Sequence, residues 1–312
     1  MNEGGFREHR FPATDGLQLY ARSYGPVFAA PAVPIICLPG LTRNSRDFHE
    51  LATFLASPGG GEHTVFSLDY RGRGNSQRDD DKSHYSIAIE TTDIMTACTH
   101  LGIERAVFIG TSRGGLILHH LVGLAPDLIA GTVLNDIGPV IEIEGLLTIR
   151  NYLNKAAAGP ISWAAVPGYL KDIHGAEFPN LGERDWQQMA KAIYRDEDGA
   201  PVPDFDVAIA RQLLGLTVET SLPDLWPQYD AFSRMPLLVI RGEHSRLLSE
   251  GTMREMCKRH SRAVALTALG QGHAPLLHLD GPRQAVSAFV CAITRRRDVG
   301  TDRLHSEIDL EH

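Results

Sequence analysis

Six short apolar runs alternate along the chain with segments of helical periodicity, and this alternation restricts the possible folds more than any other feature. The apolar runs cover 33–38, 64–70, 105–110, 129–136, 236–242 and 263–269. Continuous apolar runs of this length are typical of strands that helices cover on both faces, as in a parallel sheet. The helical segments cover 45–56, 87–101, 114–124, 250–260 and 281–294. The alternation therefore predicts the α/β class.

Three parts of the chain depart from this alternation. Near the start, polarity alternates on both sides of the Asp-Gly pair at 15–16, which predicts an antiparallel hairpin. Residues 140–233 carry helical patterns but no convincing strand, so we predict a helical cap inserted between core segments 1–139 and 234–296. The cap would cover the C-terminal edge of the sheet. Residues 297–312 lose apolar periodicity, and we predict a disordered tail.

Charge and apolar content exclude several kinds of partner. Thirty basic and thirty-eight acidic residues give a net charge of −8, so we expect no attraction to nucleic acid or an anionic membrane. No apolar run approaches the roughly 20 residues that span a bilayer. The N-terminus lacks the apolar core of a signal peptide, which favours a cytoplasmic protein. The four cysteines include no CxxC pair, so we expect small buried side chains and no metal cluster or disulfide.

The most informative motif lies at 105–124, where the run RAVFIG leads into GTSRGG and then into a helical segment. Gly110, Ser112 and Gly114 satisfy G-x-S-x-G, the nucleophile elbow, in which a sharp turn presents a serine Oγ above the sheet. A side chain on either glycine would crowd the helix against the strand. The helix N-terminus offers positive partial charge to a developing oxyanion. The context of strand, turn and helix favours a nucleophilic Ser112 over a glycine-rich helix start without chemistry.

With this motif the chain resembles the α/β-hydrolase superfamily, over its whole length apart from the tail and the insertion. The segment LPGLTRNSRDF at 38–48 looks like the oxyanion loop after the third strand, although Pro39 stands where many members have histidine. DYRGRGNS at 69–76 resembles the signature turn after the fourth strand. GQGHAPLL at 270–277 looks like the loop that carries the catalytic histidine. The resemblance is greatest to esterase-like members with a helical cap, and it implies a mostly parallel sheet of about eight strands with helices on both faces.

The resemblance also implies roles for individual residues. His273 is the candidate general base, because an imidazole is suited to proton transfer at neutral pH. The backbone N–H groups of Leu41 and Arg113 are the expected oxyanion donors. The Arg113 side chain is a long cation beside the nucleophile. It would either bind a substrate carboxylate or pair with an internal acid such as Asp136 or Asp69, and the second interpretation is favoured.

The third catalytic residue departs from the family pattern. Relatives usually have an aspartate shortly after the seventh strand, but Ser245 and Arg246 occupy those positions. Asp136, at the end of the sixth strand, is the favoured replacement, because some members, haloalkane dehalogenases among them, supply their acid there. Glu243 is the alternative acid. Alternatively, Asp136 has only a structural role, forming local backbone bonds where the chain enters the cap. If neither carboxylate serves as the acid, the site is a functionally dead or weakened dyad.

These residues predict a serine hydrolase that cleaves an ester, thioester or lactone of a small molecule through an acyl-enzyme on Ser112. No ligand cluster or phosphate-binding loop is evident, so no metal ion or organic cofactor is expected. One alternative is hydrolysis of a carbon–carbon bond next to a ketone. Another is a non-catalytic binding protein, suggested by Arg246. Cap aromatics are candidates for lining an apolar pocket: Trp163, Trp186, Trp226, Tyr152, Tyr169 and Tyr194. The sequence specifies neither substrate nor oligomeric state.

Overall fold

The structure is a computed structural model that describes residues 5–28, 32–155 and 162–294. Its central element is a sheet of eight strands. The strands of the chain are β1 (Arg7–Pro12), β2 (Gln18–Tyr24), β3 (Ile35–Leu38), β4 (Val65–Asp69), β5 (Ala106–Thr111), β6 (Ile129–Asn135), β7 (Tyr194–Glu197), β8 (Ala200–Pro203), β9 (Leu237–Gly242) and β10 (Ala263–Ala268). The sheet order is β1-β2-β4-β3-β5-β6-β9-β10. Within this eight-stranded sheet, β1 pairs antiparallel with β2 and β2 with β4, and the other neighbours pair parallel, so the predicted hairpin and the mostly parallel sheet are confirmed.

Helices cover this sheet on both faces. In chain order, the helices of the described residues are α1 (His49–Leu55), α2 (Ile87–His100), α3 (Arg113–Leu124), α4 (Ile143–Lys155), α5 (Val166–His174), α6 (Glu183–Ile193), α7 (Val207–Arg211), α8 (Trp226–Ala231), α9 (Glu250–Arg259) and α10 (Asp280–Thr294). Of these, α5 and α6 pack together in an apolar cluster separate from those of the sheet. Alternate residues of β3 enter different apolar layers: Ile36 and Leu38 pack with α2 and α3, whereas Ile35 and Cys37 pack with α1 and α10. This two-sided burial explains why the central strands are apolar without interruption.

The segment between β6 and β9 contains α4 to α8 and also a hairpin of β7 and β8, so the prediction that it lacks strands is wrong. The hairpin turns at Asp198 and Gly199, which have φ values of 52° and 82°. Positive φ at both central residues is what a two-residue type I′ turn requires, and Asp-Gly is a favoured pair for it. That pair was the signal available in the sequence. These strands are difficult to predict because each has only four residues, β7 is mostly polar and β8 contains two prolines.

The expectations on membrane spans, cysteines and the tail depend on which residues the structure describes. Within the described residues, no helix is long and apolar enough to span a membrane. All four cysteines are free, and Cys37 and Cys98 are buried as expected, whereas Cys257 and Cys291 are half-buried. The predicted tail at 297–312 lies outside the described residues. The division into a core and a cap stays a prediction.

Candidate active site

Ser112 lies at the sharp turn between β5 and α3, with a φ of 51°. Such a left-handed conformation is uncommon for a residue with a side chain and holds Oγ at the edge of the sheet. The neighbouring glycines permit the turn. A Cβ on Gly114 would lie 2.2 Å from the carbonyl oxygen of Leu38, and one on Gly110 would lie 2.7 Å from the backbone of Gly114. The expected crowding of helix against strand is confirmed.

Three predicted site residues form one hydrogen-bonded relay. His273 Nε2 lies 2.9 Å from Ser112 Oγ, and His273 Nδ1 lies 2.8 Å from Asp136 Oδ2. Asp136 is fully buried, and its other oxygen accepts a hydrogen bond of 2.9 Å from Gly242 N on β9. A carboxylate held in this way can orient an imidazole and stabilise its protonated form. The local cap role considered for Asp136 does not describe these contacts, because Gly242 is distant in the chain.

The loop after β9 holds no carboxylate against the histidine. Glu243 is exposed, and its Oε2 accepts a hydrogen bond of 2.7 Å from Gly270 N. Ser245 is buried at the position where relatives usually have the acid, and its Oγ accepts from the amides of Leu247 and Leu248, both at 3.2 Å. Arg246 is exposed. The structure thus places Asp136, and not Glu243, within hydrogen-bond distance of His273.

The two expected oxyanion donors lie beside Ser112, Leu41 on the loop after β3 and Arg113 at the first position of α3. Within the described residues, neither the Leu41 amide nor the Arg113 amide donates a hydrogen bond, so both are free to bind a ligand oxygen. The Arg113 side chain turns away to α2, where its Nε donates to Glu90 Oε2 at 2.6 Å. The predicted partners of Arg113, Asp136 and Asp69, are therefore wrong, although an internal acid does pair with it.

The sequence pattern around Glu90 contains a signal for its buried ion pair. It lies on α2 with Asp93, Ile94 and Ala97, and all four are buried on one helix face. Carboxylates on an otherwise apolar face require buried cations or strong donors. The spacing of these residues therefore indicates a buried ion pair.

Asn135 is a second residue that sequence reasoning missed. Its Nδ2 donates to Thr111 Oγ1 and to the carbonyl oxygen of Pro275, both at 3.0 Å. Its backbone oxygen accepts from Ser112 N at 3.0 Å. Asn135 therefore joins the elbow to the loop that carries His273. Its place directly before Asp136, at the carboxyl end of a parallel strand, was the available signal.

A cavity of about 140 Å³ opens above Ser112 and His273, lined also by residues of the inserted segment. Tyr152, Tyr169 and Tyr194 contribute to its wall as expected. The tryptophans are not among its lining residues. Trp186, for example, is 2% exposed and packs with other residues of the insertion.

Apolar side chains form most of the cavity wall, and polar side chains such as Thr42, Asn135 and His278 lie among them. Arg43 and Asp47 form an ion pair there. Burial, with a smaller effect of Arg43, lowers the pKa of His174 to about 4, so this imidazole is neutral at neutral pH. Burial raises the pKa of Tyr152 to about 12. The wall around Ser112 is therefore mostly apolar, and its charged side chains Arg43 and Asp47 form one ion pair.

One other cluster has the donor types of a metal site. Oxygen and nitrogen atoms of Asp15, Asp79 and His84 lie within 4.8 Å of one another. Arg71 Nη1 already contacts Asp15 Oδ2 at 2.9 Å and Asp79 Oδ2 at 2.6 Å. A guanidinium in that position neutralises the carboxylates and repels a cation, so the arrangement fits an ion-pair network.

The sheet, the elbow and the serine–histidine–aspartate contacts define a recognisable class of protein. Residues 33–277 match the family model for the alpha/beta hydrolase fold, and the chain belongs to that family. An alpha/beta hydrolase from Novosphingobium aromaticivorans has a crystal structure that covers 92% of this chain and 98% of its own. It superposes with a TM-score of 0.82 at 35% identity.

Relatives with assigned activities are also similar to this chain. The 3-hydroxybutyrate-oligomer hydrolase of Cupriavidus necator is 30% identical over 78% of this chain and 84% of its own length. The 2-(acetamidomethylene)succinate hydrolase of Mesorhizobium japonicum is 26% identical over 75% and 79%. Both names describe hydrolases of small molecules, so the coarse class agrees with the sequence-based prediction.

Proposed function

We propose that this protein hydrolyses small carboxylic esters through an acyl-enzyme on Ser112. The observation that carries the proposal is the relay from Ser112 Oγ to His273 and on to the fully buried Asp136, with distances of 2.9 and 2.8 Å. A serine hydroxyl is a weak nucleophile until an adjacent base accepts its proton. The relay supplies that base and fixes its orientation.

The reaction follows from these positions. His273 Nε2 takes the proton of Ser112 as Oγ attacks the substrate carbonyl carbon, and the carbonyl oxygen becomes an oxyanion. The amides of Leu41 and Arg113 stabilise this oxyanion. His273 then gives the proton to the leaving alkoxide, and the acyl group stays on Ser112. A water molecule, deprotonated by His273, releases the acid and restores the serine.

The relative from Cupriavidus necator suggests the first substrates to test. Its name specifies oligomers of 3-hydroxybutyrate, in which ester bonds join short hydroxy acids. The small, mostly apolar cavity of this chain suits a short acyl group. Short-chain acyl esters and hydroxyacyl esters are therefore the substrate class that we infer.

A steady-state assay tests the proposal. Wild-type protein should hydrolyse 4-nitrophenyl butyrate, and Ser112→Ala should lose at least about 1,000-fold in kcat. Ser83→Ala is a matched control, because Ser83 is exposed and its Oγ bonds only to Asp81 within the described residues. Equal rates for wild type and Ser112→Ala would refute the proposal.

The alternative reactions are separated by the same assay with a different substrate. Hydrolysis of a carbon–carbon bond next to a ketone uses the same serine and histidine, so the residues do not exclude it. A vinylogous diketone cleaved faster than every ester would favour that chemistry. No turnover of either class would favour the binding-protein alternative.

A further inference from the structure

A buried chain of charged side chains joins the loop after β3 to the start of α3, the two places that carry the proposed oxyanion donors. Arg73 Nε donates to the carbonyl oxygen of Leu41 at 2.9 Å, and Arg73 Nη1 donates to Glu90 Oε1 at 2.7 Å. The second oxygen of Glu90 accepts from Arg113 Nε at 2.6 Å. One carboxylate therefore connects residue 41 to residue 113, and each of its oxygens holds one arginine.

Burying these three charged side chains lowers the free energy that folding gains. The exposed fractions are 1% for Arg73, 0% for Glu90 and 9% for Arg113. Two guanidinium groups share one carboxylate, and Arg73 Nη2 finds no hydrogen-bond partner among the described residues. Replacing buried ion pairs by apolar side chains is often neutral or stabilising. Stability therefore gives little reason for these three residues to be charged.

The geometry supplies another reason. Arg73 anchors Leu41 through its backbone oxygen, whereas Arg113 is anchored through its own side chain, with a second bond of 2.9 Å from Nη2 to the carbonyl oxygen of Tyr85. Both residues are thereby held beside Ser112. Oxyanion donors must lie about 2.7–3.1 Å from the oxyanion, and small displacements reduce the rate sharply.

We propose that Arg73, Glu90 and Arg113 form a positioning bridge that fixes the separation of the Leu41 and Arg113 amides. The bridge rests on the proposed function, because its purpose is to hold the oxyanion donors of that reaction. It also explains why an arginine follows the nucleophile. The Arg113 side chain serves the amide of its own residue and does not bind substrate.

Two substitutions of Glu90 test the bridge. Glu90→Gln keeps the shape but removes the charge, and Glu90→Asp keeps the charge but withdraws the carboxylate by one methylene group. Both should lower kcat about 10-fold or more while KM stays within about 2-fold, because the loss is confined to the transition state. Affinity for an alkylboronic acid, which mimics the tetrahedral oxyanion, should fall by a similar factor.

The chain provides a matched control in Asp93→Asn. Asp93 lies one helical turn after Glu90, is buried, and pairs with Arg71 through two bonds of 2.7 Å. The Arg71 side chain contacts Asp15 and Asp79 and neither oxyanion residue, whereas its backbone oxygen accepts a hydrogen bond of 2.8 Å from Arg73 Nη1. This variant should lose thermal stability comparably to Glu90→Gln but keep kcat and boronate affinity within about 2-fold.

The outcomes separate the two proposals. Parallel losses of thermal stability and kcat in Glu90→Gln and Asp93→Asn, with unchanged boronate affinity in both, would overturn the bridge. If Glu90→Gln does not fold, Arg113→Gln takes its place in the comparison with Asp93→Asn, because it removes one end of the bridge. A selective loss of kcat and boronate affinity is again expected, and losses parallel to those of Asp93→Asn with unchanged boronate affinity would again overturn the bridge. Wild-type protein without ester turnover would instead refute the proposed function.

Discussion

At the scale of single residues, Asp136 makes the contacts that we propose for a catalytic acid placed at the end of β6. It is fully buried between two donors, His273 Nδ1 and Gly242 N, so each of its carboxylate oxygens accepts one hydrogen bond. The usual position after β9 is left to Ser245, whose hydroxyl satisfies two backbone amides. The carboxylate within hydrogen-bond distance of His273 therefore comes from the end of β6 and not from the loop after β9.

Replacement of this acid gives the first prediction. Asp136→Asn should lower kcat by about 10³–10⁴-fold, since the amide favours the wrong imidazole tautomer and cannot stabilise the imidazolium. Glu243→Gln removes the alternative acid and should leave kcat within about 2-fold. Steady-state kinetics on the same ester measures both variants. The reverse result, a small loss for Asp136→Asn and a large one for Glu243→Gln, would assign the role to Glu243.

A second residue-scale prediction concerns His119, which is 1% exposed within α3. Burial lowers its pKa to about 4, against an ordinary value of 6.5. The folded protein therefore keeps the imidazole neutral where the unfolded chain becomes protonated. This contribution to stability is complete above pH 6.5 and is lost as the pH falls toward 4. At pH 5 the loss is about 2 kcal/mol.

Urea unfolding at pH 7 and pH 5 measures this effect. His119→Gln should reduce the difference between the two unfolding free energies by about 2 kcal/mol, because glutamine does not titrate. His244→Gln serves as the control, since His244 is exposed. An unchanged pH dependence in His119→Gln would show that His119 is not the source.

At the scale of elements, the contact of α3 with the sheet determines where Ser112 lies. Gly114→Ala would place a Cβ 2.2 Å from the backbone oxygen of Leu38, so the helix must shift. We expect a loss of about 1–3 kcal/mol in unfolding free energy and a large loss of kcat.

Gly123, in the same helix, is the matched control for that substitution. A Cβ there meets nothing within 4 Å, so Gly123→Ala should raise stability by up to about 1 kcal/mol and leave kcat unchanged. Thermal unfolding and ester kinetics measure both variants. Equal stability changes in the two alanine variants would contradict the packing argument.

The elements also show which parts of the fold the sequence could reveal. The strands β3 to β6 and β9 are predictable because burial on both faces leaves long apolar runs. The edge strand β10 has an apolar sequence as well, although it includes exposed positions. The hairpin of β7 and β8 was not predicted, because its short strands include exposed positions. Its Asp-Gly turn carried the only local signal.

At the scale of the whole molecule, the elbow and the histidine loop are predictable from sequence, whereas the cavity wall is not. The elbow depends on local turn chemistry that a motif records. The wall is assembled from distant segments, so the choice of Tyr152, Tyr169 and Tyr194 over the tryptophans depends on how the insertion packs. The partner of Arg113 was mistaken for the same reason, because Glu90 reaches it across α2 and α3.

Covalent labelling by a fluorophosphonate tests the central claim most directly, because the probe reacts with a serine only when a base has activated it. Intact-mass and peptide analysis should find one phosphonyl group on wild-type protein, located on Ser112. Ser112→Ala should gain none, and Asp136→Asn should be labelled far more slowly. Wild-type protein that stays unlabelled at neutral pH, or is labelled elsewhere, would contradict the account.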